Sequence, residues 1–230
     1  MPVILYDLCG ADEFQRFSPY CWRVKMALAH KGLGWEERPT PFTKVREVAG
    51  GISATVPVIE DAQHTISDSW DIATYLEDTY PDRPTLFGGE AGRALSRFVE
   101  SWVNTSVNTK LVHLVVKDIH DILSPPDQAY FRETREKRLG HTLEELHENR
   151  HERLEAFRLS LQPMRQMLKS QAFIGGMSPL FADYILFGTL QWPRVASNFR
   201  LLEAGDPVAD WFERCLDLHN HLGRNQPAAA

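Results

Sequence analysis

The sequence predicts an α/β domain followed by an all-α domain. Before about residue 80, short apolar runs rich in strand-forming residues alternate with helical patterns, which is typical of a sheet that contains parallel strands. Beyond the proline-rich stretch of residues 81–84, strand signals vanish and apolar residues recur at helical spacing almost to the C-terminus. We therefore expect a first domain of residues 1–80, a linker of residues 81–89 and an all-α domain of residues 90–230.

The first domain should open with a β-α-β unit. The apolar run Val3 to Leu8 predicts a buried strand. Ser18 can cap the following helix, Pro19 suits its first position, where a missing N–H is no loss, and Gly32 ends it. The stretch Trp35 to Pro39 then predicts a second strand, joined to the first by a right-handed crossover.

The start of this helix is the strongest candidate for a chemical site. Free backbone N–H groups and the positive end of the helix dipole favour a negative charge there. The spacing Ser18-x-x-Cys21 matches a redox C-x-x-C motif in which serine has replaced the first cysteine, so disulfide exchange within the pair is lost. A site that holds the thiolate of another molecule is one interpretation, and an ordinary helix cap beside a buried cysteine is the other.

Two further motifs complete the first domain. The runs Thr55 to Glu60 and Gln63 to Ser67 predict a hairpin. A cis bond between Val56 and Pro57 would turn the N–H and C=O of Val56 outward, so that an extended peptide could dock there, whereas a trans proline at a strand start is the alternative. Asp68-Ser69 heads the next helix and suits a zwitterionic amino-acid end, or serves only as a cap.

The second half predicts long helices. Apolar residues from Leu95 to Leu123 fit one long amphipathic helix, and a second apolar stripe runs from Leu139 to Leu161. The run Phe181 to Thr189 is apolar nearly all round, which predicts a central buried helix. A last helix contains Trp211, and we expect the tail of residues 224–230 to lack regular structure.

Composition limits the classes to which the chain can belong. Its 230 residues are 43% hydrophobic and 24% charged, enough to bury a sizeable core. A net charge of −6 without a long basic run argues against a nucleic-acid partner. No apolar run approaches the roughly 18 residues of a membrane span, and the N-terminus does not resemble a signal peptide. We therefore expect a cytoplasmic protein with no membrane partner.

Neither the cysteines nor the histidines predict a metal site. Cys9, Cys21 and Cys215 are odd in number and widely spaced, so they fit neither a disulfide framework nor a zinc set. The stretch His147-Glu148-Asn149-Arg150-His151 matches the H-E-x-x-H helix of zinc proteases. We reject that interpretation because charged residues surround the motif and Phe157 stands where the third ligand would follow.

Taken together, these motifs resemble those of the cytosolic glutathione transferases over essentially the whole chain. The resemblance is carried by Ser18-Pro19-Tyr20, Val56-Pro57-Val58-Ile59, Asp68-Ser69-Trp70 and the all-helical second half. It implies a thioredoxin-like domain that binds glutathione, an all-α domain that lines the electrophile site, and a homodimer. Phe181-Ala182-Asp183-Tyr184 also resembles a family motif, although Leu180 stands where the family has a serine or threonine cap. Closer similarity is to the branch of bacterial β-aryl etherases and related fungal transferases.

The resemblance also implies roles for individual residues. Ser18 would donate a hydrogen bond to the sulfur of glutathione, the co-substrate, and so favour its thiolate. The remaining glutathione contacts would come from Val56 before a cis-Pro57, from Asp68 with Ser69 at the γ-glutamyl end, and from Lys44 at the glycine carboxylate.

We expect conjugation of the glutathione thiolate to aromatic, apolar electrophiles. The electrophile pocket should draw on bulky side chains, with Phe98, Trp102, Trp22, Trp70 and Trp192 as candidates. Three alternatives remain open: glutathione-dependent cleavage of β-aryl ethers, non-enzymatic binding of apolar ligands, and thiol reduction through Cys21.

Overall fold

A computed structural model describes residues 2–229 of the chain. The first half contains a four-stranded sheet with the order β2-β1-β3-β4. Its strands are β1 (Val3–Leu8), β2 (Trp35–Thr40), β3 (Val58–Asp61) and β4 (His64–Ser67). Strands β1 and β2 are parallel, whereas β3 is antiparallel to both β1 and β4. The predicted β-α-β unit and the predicted hairpin are therefore confirmed.

Helices α1 (Pro19–His30) and α2 (Ser69–Thr79) belong to the first half, together with a 3₁₀ segment (Phe42–Gly51). The second half is helical, as predicted. Its helices are α3 (Glu90–Trp102), α4 (Asn108–Asp121), α5 (Pro125–Leu139), α6 (Leu143–Glu148), α7 (Arg150–Ser160), α8 (Gln162–Met167), α9 (Phe181–Ala196), α10 (Pro207–Leu216) and α11 (Leu218–Asn225). None of the helices in residues 2–229 is long and apolar enough to cross a membrane. The division at residues 81–89 stays a prediction.

Helix α9 joins the two halves, because it packs directly against α1. It is buried along almost its whole length, which confirms the predicted central helix. A Cβ atom at Gly188 would lie 2.2 Å from the carbonyl oxygen of Pro19, so only glycine permits this approach of the backbones. Nearby, the rings of Trp22 and Phe187 meet edge to face at 6.0 Å. The start of α1 is thereby held rigidly against the second half.

The predicted long helix from Leu95 to Leu123 is confirmed as an unbroken run of helical residues up to Asp121, but its repeat is not regular. A π-helical turn (Val103–Val107) separates α3 from α4. A π turn adds one residue to the helical repeat and so rotates the side chains that follow it relative to those before it. Within α3 itself the buried residues are Ser96 and Val99, and Leu95 and Phe98, which the regular spacing assigned to the apolar face, are exposed.

The predicted apolar stripe from Leu139 to Leu161 is spread over three separate helices, α5, α6 and α7. Gly140 ends α5 with a φ of 72°, a conformation that glycine adopts without strain. A capping box of Thr142 and Glu145 then starts α6. Asn149 has a non-helical backbone conformation between α6 and α7, so the two histidines of the H-E-x-x-H motif lie on different helices. Within residues 2–229 no group of three or more metal-ligating side chains occurs.

Of the predicted tail, Arg224 and Asn225 belong to α11, contrary to the prediction, whereas residues 226–229 have no regular secondary structure, as predicted. Arg224 pairs with Asp217 and Glu213, and the N–H of Ala229 donates to the carbonyl of Arg194 at 2.8 Å. Residue 230, the end of the predicted tail, lies outside the described residues.

Two histidines meet a buried tyrosine where α1, α9 and α11 converge. The hydroxyl of Tyr184 lies 2.6 Å from Nδ1 of His30 and 3.0 Å from Nε2 of His219. Burial lowers the pKa of His219 to about 4, with a further contribution from His30, and burial also lowers the pKa of His30. Both rings are therefore neutral at pH 7.

This cluster predicts a loss of stability in acid. Below pH ~6.5 His219 is protonated in the unfolded chain, whereas in the folded chain it stays unprotonated until about pH 4. The free energy of unfolding therefore falls across this range. We expect a loss of about 1 to 2 kcal/mol, less than for a fully buried group because solvent screens the side chain. Urea unfolding of the parent and of His219→Asn at pH 8, 6 and 4 measures it. The difference in free energy of unfolding between the parent and His219→Asn should become smaller from pH 8 to pH 4. If both proteins lost the same free energy of unfolding over this range, His219 would not be the group responsible.

Candidate active site

A cavity of about 960 Å³ lies between the two halves of the molecule. The first half contributes the start of α1, the 3₁₀ segment, the loop before β3 and the start of α2. The second half contributes α3, α4, α5 and Trp192 of α9. Pockets that enclose drug-sized ligands span roughly 300–1,000 Å³, so this cavity has room for more than one small reactant.

Ser18 lies at the N-terminus of α1 and lines the cavity. Its side chain is only 3% exposed, and its hydroxyl oxygen accepts a hydrogen bond from the N–H of Cys21 at 3.3 Å. A serine hydroxyl both accepts and donates. Because the capping bond uses only a lone pair, the hydroxyl proton remains available to an acceptor in the cavity. The predicted N-cap is confirmed, and the local geometry suits a bound anion.

The loop before β3 contributes backbone groups. The peptide bond between Val56 and Pro57 is cis. Val56 precedes the strand ladder, which begins at Val58, so its N–H and C=O do not pair with a neighbouring strand. Both Val56 and Pro57 line the cavity.

The start of α2 supplies a carboxylate and a hydroxyl. One oxygen of Asp68, Oδ1, accepts from the N–H groups of Trp70 and Asp71 at 2.8 and 3.3 Å. No hydrogen bond of the described residues involves Oδ2, which leaves it free for a donor in the cavity. The backbone of Asp68 adopts a φ of 75° and a ψ of 133°, a strained conformation of the kind that clusters at ligand sites. Ser69 adjoins it and also lines the cavity.

Comparison with known proteins identifies the family. The family model for the glutathione S-transferase N-terminal domain matches residues 15–84, and the model for the C-terminal domain matches residues 94–218. The chain belongs to the glutathione S-transferase family.

Individual relatives agree with this assignment. A glutathione S-transferase-like protein, ustS, of Aspergillus flavus is 25% identical over 221 residues, which cover 83% of this chain and 80% of that protein. The crystal structure of glutathione transferase GSTFuA3 from Phanerochaete chrysosporium superposes with a TM-score of 0.82 at 27% identity, over 93% of this chain and 96% of that one. A glutathione S-transferase of Ceriporiopsis subvermispora, solved in complex with glutathione, gives 0.81 at 22% identity, over 100% of this chain and 99% of that one.

The structure brings together most, but not all, of the residues that the sequence predicts to bind glutathione. Ser18, Val56, Pro57, Asp68 and Ser69 line one cavity. Lys44 is absent from that lining; its side chain is exposed and pairs with Glu47 at 2.9 Å. The assignment of Lys44 to the glycine carboxylate therefore stays a prediction without a supporting contact.

The wall from the second half differs from the one expected. Of the five aromatic candidates, Trp192 lines the cavity, whereas Phe98 is 71% exposed on α3 and Trp102 does not line the cavity. Trp22 and Trp70 are buried in the core. The cavity is instead lined by side chains that the sequence analysis did not select: Asn104, Asn108, His113, Tyr130, Phe131, Arg135 and Arg138. Asn104, Asn108 and His113 are polar residues inside the predicted apolar stripe from Leu95 to Leu123, whereas the residues of α5 lie outside both predicted stripes and had no comparable signal in the sequence.

A buried arginine at the start of α1 connects the two walls of the cavity, which are the residues contributed by the first half and those contributed by the second half. The guanidinium of Arg23 is fully buried and lies 3.2 Å from Oε1 of Glu100 and 3.4 Å from Oδ1 of Asn104. It also lies 4.5 Å above the ring of Tyr20. Glu100, Asn104 and Tyr20 all line the cavity, so this contact sets the spacing of the residues around Ser18.

Cys21 faces away from solvent. It is completely buried, its sulfur lies 3.9 Å from the carbonyl oxygen of Tyr6, and burial raises the pKa of the thiol well above its ordinary value. A reactive cysteine needs an exposed, stabilised thiolate. The environment of Cys21 provides neither.

We therefore expect Cys21→Ser to conjugate glutathione to an aryl electrophile at a rate within about threefold of the parent. Thiol-disulfide exchange with a glutathione mixed disulfide should be weak in both proteins. The matched control is Cys215→Ser, which alters another buried cysteine, on α10, that does not line the cavity. Strong exchange activity in the parent that disappears only in Cys21→Ser would instead favour a reductase.

Proposed function

We propose that the protein is a serine-type glutathione transferase, which conjugates the thiolate of glutathione to aromatic, apolar electrophiles. The observation that carries this proposal is the Ser18 hydroxyl, whose proton is free to be donated into a cavity that Val56, Asp68 and Ser69 also line. Membership of the glutathione S-transferase family supports the choice of thiol.

Glutathione fits the polar groups of the first wall, the side of the cavity that the first half of the chain contributes. The γ-glutamyl amine would donate to the free oxygen of Asp68, and the α-carboxylate would accept from the Ser69 hydroxyl and the first-turn N–H groups of α2. The unpaired backbone of Val56 would bond to the cysteinyl residue as an added strand. That contact directs the cysteinyl sulfur toward Ser18. The relative from Ceriporiopsis subvermispora solved with glutathione supports this choice of ligand.

Ser18 acts on the thiol by stabilising its charged form. A hydrogen bond donated to the sulfur, together with the dipole of α1, lowers the thiol pKa, so that more thiolate is present near neutral pH. The thiol proton passes to solvent. The thiolate then attacks an electrophilic carbon: a carbon–sulfur bond forms, and in an aryl halide the carbon–halogen bond breaks with both electrons leaving on the halide.

Aromatic side chains that line the cavity favour a flat aromatic electrophile. Tyr130, Phe131 and Trp192 of the second half, with Phe42 of the 3₁₀ segment, give the cavity an aromatic surface against which a ring can stack. Rates rise when such contacts hold the reacting carbon ~3 to 3.5 Å from the thiolate.

We propose further that the protein acts as a homodimer.

Two alternatives remain distinct from this proposal. Resemblance to the β-aryl etherase branch favours cleavage of a β-aryl ether, in which an aryloxide leaves in place of the halide. A non-enzymatic binder would bind glutathione and apolar ligands in the same cavity without turnover. The buried thiol of Cys21 argues against a reductase.

A substrate panel at fixed glutathione tests the function. The panel comprises 1-chloro-2,4-dinitrobenzene, benzyl isothiocyanate and a β-aryl ether model compound, with glutathione affinity measured by calorimetry. We expect conjugation of the first two compounds to exceed ether cleavage. Ether cleavage alone would reverse that ranking. Glutathione binding without any turnover would favour the binder, and an absence of glutathione binding would refute the proposal.

A further inference from the structure

Two arginines without carboxylate partners face the cavity from α5. Arg135 and Arg138 both line it, and neither forms a salt bridge with any described residue. The guanidinium of Arg135 lies 5.1 Å from the ring centre of Phe42 and 4.5 Å from that of Phe131. Its single hydrogen bond goes to the hydroxyl of Thr134 at 2.9 Å.

Other arginines close to this site are neutralised. Arg132, one turn earlier on α5, lies 2.7 Å from Glu136 and 2.8 Å from Glu144. Arg23, at the opposite wall, is paired with Glu100. Two carboxylates line the cavity, Asp68 at the start of α2 and Glu100 on α3, whereas α5 packs against the 3₁₀ segment. Because Glu100 is paired with Arg23, the cavity has one free carboxylate at the start of α2 and a basic part at α5.

An uncompensated pair of like charges is costly. Burial lowers the pKa of Arg135, and the adjacent charge of Arg138 lowers it further. An anion between the two guanidinium groups would offset both effects. Guanidinium groups match carboxylates in particular, because two parallel N–H donors meet two oxygens. The rings of Phe42 and Phe131 hold the plane of Arg135 in place for such a contact.

We propose that Arg135 and Arg138 form a carboxylate-binding site at the α5 end of the cavity, and that the preferred electrophile is an aromatic compound that carries a carboxylate. This inference rests on the proposed transferase function, because the aromatic wall and the thiolate site define where the ring lies. Two reactants could bring the carboxylate: the electrophile itself, or glutathione through its glycine end.

Paired reagents separate these sources. 1-Chloro-2,4-dinitrobenzene is compared with 4-chloro-3,5-dinitrobenzoate, which adds a carboxylate to a similarly activated ring. Glutathione is compared with its glycine monoethyl ester, which lacks the glycine carboxylate. The variants are Arg138→Gln, whose side chain is exposed, and Arg135→Lys, which keeps the charge but loses the fork of donors. The control is Lys137→Gln, which removes an exposed charge of α5 that does not line the cavity.

We expect Arg138→Gln and Arg135→Lys to raise KM for the dinitrobenzoate by about 10- to 100-fold while KM for chlorodinitrobenzene and for glutathione changes little. Lys137→Gln should leave all three values unchanged. A rise in KM for glutathione but not for its ester would support the same site with glycine as the source. Unchanged values for every carboxylate-bearing reagent would overturn the site. Failure of the parent to turn over any compound of the substrate panel, although it binds glutathione, would refute the transferase function instead.

Discussion

Asp183→Ala is expected to lower the free energy of unfolding by about 4 kcal/mol or more, which is a large part of the roughly 5–15 kcal/mol that stabilises a typical domain. The carboxylate of Asp183 is fully buried and accepts four hydrogen bonds. Its donors are the N–H groups of Ile174, Gly175 and Leu180 at 2.7 to 3.0 Å and Nε1 of Trp211 at 3.1 Å. Alanine would remove the acceptor of all four donors and would leave the N–H of Ile174 and Nε1 of Trp211 buried without a partner, each at a cost of about 1 to 3 kcal/mol.

Urea unfolding followed by fluorescence measures the loss. Asp183→Asn keeps the shape and one acceptor oxygen, so its loss should be intermediate. Asp210→Ala, which removes an exposed acidic residue of α10, is the control and should change stability by less than about 0.5 kcal/mol. If Asp183→Ala unfolded at the same urea concentration as the parent, the four hydrogen bonds would have no role in stability.

The motif around Asp183 also explains how α9 begins without a hydroxyl cap. In a capping box the residue before the helix and the acidic residue three positions later satisfy each other's N–H groups. The side chain of Leu180 has no acceptor atom, so only the acidic half of the capping box is present, through the bond from the N–H of Leu180 to Asp183. The additional donors from Ile174, Gly175 and Trp211 tie the helix start to the preceding loop and to α10.

The elements of the first domain could be predicted because their signals are local. Ser18, Pro19 and Gly32 fix the bounds of α1 through capping and backbone conformation, and these effects depend on a few neighbouring residues. Asp68 likewise caps α2 where the sequence placed it. The residues of the first wall follow from such local motifs, and the structure brings them to one cavity.

The second wall could not be predicted because it depends on register and on distant contacts. The π turn at Val103–Val107 changes the register of α4 relative to α3, and α3 buries Ser96 and Val99 rather than Phe98. Arg135 reaches the cavity because the 3₁₀ segment, nearly one hundred residues earlier, packs its Phe42 against α5. The pairing of Lys44 with Glu47 depends in the same way on the turn that the segment forms.

Ser18→Ala is expected to reduce turnover by about 10- to 100-fold, since a hydrogen bond to a charged sulfur contributes roughly 1.5 to 3 kcal/mol. Glutathione affinity should change less, because the contacts proposed for Val56, Asp68 and Ser69 remain. The substitution also removes the side-chain bond to the N–H of Cys21, and the loss of a helix cap costs about 1 kcal/mol of stability. The kinetic effect must therefore be separated from this structural one.

Thr142→Ala provides the matched control for the structural effect. It removes the side-chain cap of α6, whose hydroxyl accepts from the N–H of Glu145 at 3.2 Å, and Thr142 does not line the cavity. It should lower stability by a similar amount with no change in turnover.

The pH dependence of turnover then distinguishes a thiolate-stabilising serine from a merely structural one. If Ser18 lowers the pKa of the bound thiol, its removal raises that pKa toward the ordinary value of about 8.5, and the thiolate fraction at neutral pH falls. The deficit of Ser18→Ala should therefore be largest near pH 6 and should shrink as the pH approaches 9, where both proteins bind thiolate. Full turnover in Ser18→Ala at pH 7, or a deficit of equal size at every pH, would show that Ser18 only caps α1.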